Sequence, residues 1–394
     1  MKLALVTETY PPEVNGVAMT LKRLVDGLAA RGHEVEVVRP RQDGEKKIPG
    51  QERQAGGITE WLVPGLPIPF YHTLRIGLPV WGSLRRRWTA RLPDIVHVAT
   101  EGPLGLAALR SARRLGLPVT SSFHTNFHHY GRHYGLNGWR APIMGYLRWF
   151  HNRTACTMVP TDELRAQLVA HAFARLVVIS RGVDTDMFSP ENRRDELRAS
   201  WGAKPGDPVF AYVGRLAAEK NLGLVVETFL QVQRTEPRAR CVLVGDGPER
   251  LALEKKYPQF CFAGMRRGAD LAAFYASADV FVFPSTTETF GNVVTEAMAS
   301  GLVVLAYDYA AARQHIRPGA NGATVPLGDA PAFRAAADDL LRRRESWPAL
   351  RAAARTTALD ITWGKIVACF ERELLRAQAG KAAGGAPVLT AAGG

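Results

Sequence analysis

Two carboxylates, Glu288 and Glu296, stand with seven residues between them in a stretch that follows a strand-like apolar run at 279–283. The apolar residues that follow Asn292 recur at helical spacing, which predicts a strand, a polar loop and a helix in succession. Because the first amides of a helix have no partner within it, they can bind hydroxyl groups or phosphate oxygens. The stretch could therefore hold a polyhydroxylated anion. A solvated loop carboxylate followed by a favourable first-turn charge would give the same pattern.

A second candidate anion site follows the predicted strand at 209–213. Arg215 and Lys220 flank the loop between this strand and the next helix. Arg offers bidentate hydrogen bonds and Lys a compact positive charge, so the pair could neutralise a diphosphate. Two ordinary surface cations are the alternative.

Two further candidates follow predicted strands in the first half of the chain. Gly16 lies between the strand at 2–6 and a helix, where it would let a diphosphate approach backbone amides, although a turn glycine explains it equally well. His124 directly follows the strand at 117–123. A histidine at such a place is more often a structural hydrogen-bonding residue than a catalyst.

Length and composition describe a globular protein of about two domains, with 394 residues of which 46% are hydrophobic. The net charge of +13 is uneven, since residues 61–160 hold 12 Arg and 2 acidic residues (12 − 2 = +10). Basic and aromatic residues mixed in this way fit an anionic membrane surface better than nucleic acid, and a solvated basic surface is the alternative. No run of 18 apolar residues occurs, and the first residues read as a strand rather than a signal peptide.

The basic segment contains two candidate contact regions for an acceptor or a membrane. Residues 80–91 predict an amphipathic helix whose charge comes from Arg85, Arg86 and Arg87; a helix that packs on the sheet with an arginine-rich outer face would look the same. The loop after His124 is rich in aromatic residues, His and Arg, and its candidate acceptor residues are His128, Tyr130 and Arg132. A metal site at the loop histidines is disfavoured because no acidic ligand lies nearby in the sequence.

Several motifs together resemble one enzyme family. Glu288 to Glu296 matches the E-x7-E motif of retaining, nucleotide-sugar-dependent glycosyltransferases of the GT-B fold, glycosyltransferase family 4. The further matches are TETYPPEVNGVAMTL at 7–21, SSFHTNF at 121–127, YVGRLAAEKNL at 212–222 and VLVGDGPER at 242–250. Together they extend over nearly the whole chain except its tail. Within the family, the chain is most similar to GDP-mannose-dependent alpha-mannosyltransferases that act on membrane glycolipids.

This resemblance implies an α/β fold with two doubly wound Rossmann-like domains that face a central cleft. Residues 1–188 would form an acceptor-binding domain and residues 205–360 a nucleotide-sugar-binding domain. A helix at 361–378 would cross back to the first domain. Residues 379–394 are small and Gly-rich and are expected to be disordered.

The resemblance also implies roles for single residues. Glu296 would bind the ribose hydroxyls, Glu288 would hold the transferred sugar, and His124 would contact that sugar near its reacting end. The remaining implied donor contacts are the amides of Phe290, Gly291, Asn292 and Val293, the backbone at Met265 beside the base, and Gly16, Arg215 and Lys220 at the diphosphate. With these cations the family needs no metal or other cofactor. Arg181 stands where relatives often have Asn, which leaves its role open.

These observations predict a retaining, metal-independent hexosyltransferase at the cytoplasmic face of a membrane. Its donor would be GDP-mannose and its acceptor a lipid or lipid-linked molecule, with peripheral contact to anionic membrane and no nucleic-acid partner. Two other transferase activities stay open: a UDP-glucose- or UDP-glucuronic acid-dependent diacylglycerol glycosyltransferase, and an enzyme with a soluble or polysaccharide acceptor. Three rival classes also remain: an epimerase or hydrolase of the same fold, a non-enzymatic nucleotide-sugar binder, and a nucleic-acid-binding protein that would use the basic segment.

Overall fold

The computed structural model describes residues 1–13, 15–42, 45, 52–68, 71–124 and 140–383. These residues form two compact units. The first unit contains the chain up to Ser180 together with the residues from Ile366 onward, and the second contains Arg181–Lys365.

The first unit alternates strands and helices along the chain. Its strands are β1 (Lys2–Val6), β2 (Glu34–Pro40), β3 (Glu52–Ala55), β4 (Ile58–Val63), β5 (Gly65–Ile68), β6 (Tyr71–Gly77), β7 (Ile95–Val98), β8 (Val119–Ser122), β9 (Thr157–Val159) and β10 (Leu176–Val178). Its helices in this part of the chain are α1 (Gly16–Ala30), α2 (Trp81–Ala90), α3 (Pro103–Arg114), α4 (Arg140–His151) and α5 (Asp162–Ala170).

The main sheet of the first unit has the order β10-β9-β8-β7-β1-β2-β4-β3, and only the β3–β4 pair is antiparallel. β5 and β6 form a separate antiparallel pair. Helices cover the parallel strands, whose residues are mostly buried. Because the parallel strands share one direction, the loops after β1, β7 and β8 leave the sheet at the same edge.

The second unit is built in the same way. Its strands are β11 (Val209–Val213), β12 (Arg240–Val244), β13 (Cys261–Gly264), β14 (Val280–Phe283), β15 (Val303–Tyr307) and β16 (Ala323–Val325). Its helices are α6 (Asp195–Ser200), α7 (Leu222–Thr235), α8 (Arg250–Lys256), α9 (Gly268–Ser277), α10 (Asn292–Ala299), α11 (Ala310–His315), α12 (Ala330–Arg342) and α13 (Trp347–Leu359). All six strands are parallel, in the order β13-β12-β11-β14-β15-β16. This is the doubly wound Rossmann order.

The division between the units falls after Ser180, earlier than the expected residue 188. The segment that follows packs into the second unit, where the Phe188 ring meets the Tyr275 ring at 5.6 Å. The Arg355 guanidinium donates a hydrogen bond to the Phe188 carbonyl at 2.7 Å. These contacts account for the earlier division.

The last helix, α14 (Trp363–Ala383), joins the first unit from Ile366 onward. It packs on α1, and the Glu371 carboxylate bonds to Arg31 Nε at 2.7 Å and to His33 Nε2 at 2.5 Å. The helix is longer than the expected 361–378, so the expected disordered tail is wrong for residues 379–383, which are helical. Three alanines and a lysine, which are good helix formers, occupy 379–383 and continue the helix in spite of one glycine. The rest of the tail lies outside the described residues.

We predict that Gly27→Ala destabilises the contact between α1 and α14. A Cβ at this position would lie 2.5 Å from a methyl group of the buried Val367, so one of the two helices must shift. We expect a loss of about 1–3 kcal/mol in the free energy of unfolding, measured by chemical denaturation.

Gly145→Ala in α4 is the matched control, since a Cβ there meets nothing within 4 Å. Replacing a helical glycine without a clash should be neutral or stabilise the protein by about 0.5–1 kcal/mol. Equal effects of the two substitutions would contradict the packing described for α14.

Candidate active site

Two loops of the second unit lie side by side at the carboxyl ends of β11 and β14. Lys220 Nζ donates to Glu288 Oε1 at 2.5 Å, and both side chains are largely withdrawn from solvent. Asn221 Nδ2 donates to the Pro284 carbonyl at 3.2 Å, which joins the same loops a second time. The two candidate anion-site loops therefore form one structure.

The Glu288 carboxylate is held in a defined position. Its Oε1 also accepts a hydrogen bond from Ser285 Oγ at 2.7 Å, and its carbonyl accepts one from the Tyr309 hydroxyl at 2.9 Å. Gly291 caps the next helix with φ +92°, a left-handed conformation that glycine adopts without strain. A loop carboxylate fixed in this way is prepared to accept hydrogen bonds from a ligand.

The N-terminus of α10 presents backbone donors beside Glu288. The amides of Asn292 and Val293 have no recorded backbone acceptor within the described residues. The Phe290 side chain, in contrast, is buried in the core and packs against His315 with the rings 6.0 Å apart. The contribution of Phe290 to a ligand site is therefore its backbone alone.

Glu296 lies one turn into α10 and points towards α9, where the Tyr275 hydroxyl donates to its Oε2 at 3.0 Å. Burial raises the pKa of the Glu296 carboxyl to about 7, and the hydrogen bond from Tyr275 only partly opposes this shift. A carboxylate with one internal hydrogen bond and a strongly raised pKa is typical of a functional position.

Two further expected donor contacts lie at this edge and are exposed. Arg215 is 64% exposed and its guanidinium contacts Glu219 at 3.5 Å. Met265 follows β13 and is also exposed. Arg181, whose role the sequence left open, places its guanidinium 5.8 Å from the Phe290 ring centroid.

In the first unit, the loop after β1 is held by polar contacts that the sequence did not reveal. Asn15 caps α1 and accepts hydrogen bonds from the amides of Val17 and Ala18 at 3.0 and 2.9 Å. Glu13 in turn accepts from Thr9 Oγ1 and Gln42. The amides after Gly16 are thus already bonded, and the exposed Gly16 amide is the donor that the cap does not use.

β8 ends at Ser122, one residue earlier than expected, so His124 follows it after Phe123, at the same edge of the sheet as Gly16. Sequence reasoning missed Glu8 at this edge, which accepts the Leu104 amide at 3.0 Å and so caps α3. Burial raises the pKa of Glu8 to about 7. Its position two residues after the first strand is the signal that could have identified it.

The basic helix is correctly placed as α2, but its three arginines differ. Arg85 and Arg86 are exposed, whereas Arg87 Nε bonds to Glu36 Oε1 at 2.5 Å and its guanidinium lies 4.9 Å from the Trp61 ring centroid. Arg87 therefore helps to pack α2 on the sheet, and it is not part of the candidate acceptor surface. His128, Tyr130 and Arg132 lie outside the described residues.

The described part of the chain contains neither a candidate metal centre nor a candidate membrane-spanning helix. No group of three or more His, Cys, Asp or Glu side chains there could hold a metal ion. No helix there has both the length and the apolar composition to cross a bilayer.

The two Rossmann-like units, each with a largely parallel sheet, define the GT-B fold. The chain belongs to glycosyltransferase family 4, whose model matches residues 14–187, and the model of glycosyl transferases group 1 matches residues 207–343. It is thus a glycosyltransferase.

Relatives and a solved structure agree with this assignment. The chain is 36% identical to a GDP-mannose-dependent alpha-mannosyltransferase from Mycolicibacterium smegmatis, over 92% of this chain and 94% of the relative. It is 27% identical to an alpha-monoglucosyldiacylglycerol synthase from Acholeplasma laidlawii, over 78% and 81%. A sucrose-phosphate synthase structure from Thermosynechococcus elongatus shares the fold with a TM-score of 0.78 at 18% identity, over 96% and 99% of the two chains.

We predict that Glu296→Gln stabilises the protein at alkaline pH. The pKa of Glu296 is about 7 in the folded protein and 4.5 as its ordinary value, so its stabilising contribution is complete below 4.5 and is lost as the pH rises through 7. Gln keeps a hydrogen-bond acceptor for Tyr275 without a buried charge. We expect a gain of about 1–3 kcal/mol at pH 8 that vanishes only below about pH 4, measured as the free energy of unfolding.

The exposed Glu345→Gln is the control and should change stability by less than about 0.5 kcal/mol at either pH. A Glu296→Gln variant that is less stable than wild type at pH 8 would show that this carboxylate has a structural role instead.

Proposed function

We propose that this glycosyltransferase moves mannose from GDP-mannose to a lipid or lipid-linked acceptor, with retention of the anomeric configuration and without a metal ion. The observation that carries the proposal is the Lys220–Glu288 pair beside the amides of α10. It brings a cation, a carboxylate and backbone donors to one strand edge. A hexose joined to a diphosphate needs all three.

Breaking the bond between the anomeric carbon and the phosphate oxygen leaves negative charge on the diphosphate. Lys220 and the exposed Arg215 would stabilise this charge, and groups already in position usually carry much of a rate enhancement. Two such cations can replace the metal ion that other transferases use.

The sugar would be held by Glu288 and the amides of Asn292 and Val293. The acceptor oxygen would form its bond on the face that the diphosphate leaves, and its proton would pass to the departing phosphate oxygen. Glu296 would accept hydrogen bonds from the ribose hydroxyls. We retain His124 and Gly16 as proposed contacts to the sugar and the diphosphate.

We further propose a peripheral site of action on the cytoplasmic face of a membrane. The exposed Arg85 and Arg86 support contact with anionic lipid. A lipid acceptor is consistent with the name of the A. laidlawii relative, a diacylglycerol glycosyltransferase. The same relative favours a glucosyl donor as the second candidate function.

Titration calorimetry with GDP-mannose, GDP, UDP-glucose and UDP, all with chelator present, tests the donor. We expect GDP-mannose to bind without added metal. Binding of UDP-glucose alone would select the second candidate, and failure of all four ligands would contradict the donor site.

We predict that Arg215→Ala lowers turnover on the order of a hundredfold, because one lost contact to developing charge costs roughly 3 kcal/mol. Release of GDP from GDP-mannose in the presence of membrane lipid extract is the measurement. Arg238→Ala, which removes an equally exposed arginine that pairs with Glu236 elsewhere in the unit, should leave turnover unchanged. Near-normal turnover of Arg215→Ala would refute its role.

The raised pKa of Glu296 predicts a pH-dependent affinity for the donor. If the ionised carboxylate binds the ribose, affinity should rise about tenfold from pH 6 to pH 8, because only about a tenth of the carboxyls are ionised at pH 6. GDP-mannose is the suitable ligand, since its diphosphate is esterified at both ends and keeps its charge over this range. Calorimetry should give a flat profile for Glu296→Gln, and a pH-dependent profile in that variant would exclude Glu296 as the source.

A further inference from the structure

Helices α2 and α3 lie against each other in the first unit and contain no acidic residue. Their six arginines are Arg85, Arg86, Arg87, Arg110, Arg113 and Arg114. Within the described residues, Arg87 is the one member of this set recorded in an ion pair, with Glu36. Like charges this close repel one another, and an anion between the helices would reduce that repulsion.

Three of these arginines surround a pocket of about 330 Å³ between the two helices. Arg85 comes from α2, and Arg110 and Arg114 come from one face of α3. Trp81 and Ser111 complete the lining. Arg110 and Arg114 are four residues apart and so lie on the same face of α3. Arg85 lines the same pocket from α2.

Ser111 gives an independent indication of a ligand. Its side chain is only 1% exposed, and its hydroxyl has no hydrogen-bond partner within the described part of the chain. A buried hydroxyl is normally hydrogen-bonded, so this one lacks a partner that a bound oxygen would supply. Trp81 on the opposite helix is 41% exposed and offers an apolar surface beside the arginines.

The pocket is separate from the strand edge that holds Gly16 and His124. α3 begins at Pro103, just after β7 reaches that edge. Arg110 lies seven residues further along, about 10 Å down the helix axis, and Arg114 lies further still. None of the proposed donor contacts lines the pocket.

We propose that this pocket binds a phosphate ester. Guanidinium groups match phosphate oxygens with paired hydrogen bonds, which three of them around one space can supply from several sides. The Ser111 hydroxyl would donate to a further oxygen, and Trp81 would cover the carbon part of the ester. The ester can be the headgroup of an anionic phospholipid or a soluble phosphate compound. The proposal does not depend on the identity of the donor or the acceptor.

Two double variants with the same loss of charge test the pocket. Arg85→Gln with Arg114→Gln removes two pocket arginines. Arg91→Gln with Arg113→Gln, the neighbour variant, removes two arginines close to the same helices that do not line the pocket. Binding of glycerol 3-phosphate is measured by calorimetry, and binding to vesicles is measured by co-sedimentation with phosphatidylglycerol in phosphatidylcholine or with phosphatidylcholine alone. Thermal unfolding confirms that each variant is folded.

We expect the pocket variant to bind at least about tenfold more weakly than the neighbour variant, which should stay close to wild type. Selective loss with glycerol 3-phosphate identifies a site for soluble esters, and selective loss with phosphatidylglycerol vesicles alone identifies a lipid headgroup. Equal losses in the two variants would overturn the pocket in favour of diffuse surface charge. The proposal would also be overturned if the wild-type protein bound neither glycerol 3-phosphate nor the phosphatidylglycerol vesicles.

Discussion

The neighbouring positions of β11 and β14 are the constraint on which the geometry of the candidate active site depends. The chain leaves β11 towards β12 and β13 on one side of the sheet, then returns to place β14 on the other side. Loops that diverge at such a switch point leave a crevice at the carboxyl ends of the strands. Lys220 and Glu288 meet there because each follows one of these two strands. Thr287 Oγ1 bonds to the Glu219 carbonyl at 3.0 Å and holds the same loops together.

The buried Glu296 shows that this geometry is maintained at some cost in stability. Burial disfavours its charge, and within the described residues the recorded side-chain hydrogen bond to its carboxylate comes from Tyr275. A protein selected for stability alone would gain by replacing this carboxylate with a neutral group. Glu296 lies on the first turns of α10, beside helix amides, and the ribose contact proposed above would supply the hydrogen-bond donors that its carboxylate lacks.

Much of this arrangement could be predicted from local patterns. The parallel strands are apolar runs that end in polar loops, so the positions of Glu288, Lys220 and His124 followed from the sequence. Side-chain direction could not be predicted in the same way. Arg87 looks like its neighbours in sequence, yet it bonds to Glu36, which is contributed by a strand 51 residues earlier. The antiparallel pairs β3–β4 and β5–β6 could not be predicted from the sequence either. Charged and proline-containing segments form them, and such segments lack the usual apolar pattern of a strand.

The connectivity of the chain also constrains how the protein can fold. The first unit contains both the residues up to Ser180 and those from Ile366, so the second unit is an insertion within it. Val367 of α14 packs so closely on Gly27 of α1 that a side chain at position 27 would clash with it. The Glu371 carboxylate of α14 accepts hydrogen bonds from Arg31 and His33. During synthesis these contacts can form only after the second unit has emerged, whereas that unit contains its own sheet and core. The contact between α1 and α14 is therefore among the last to form during synthesis.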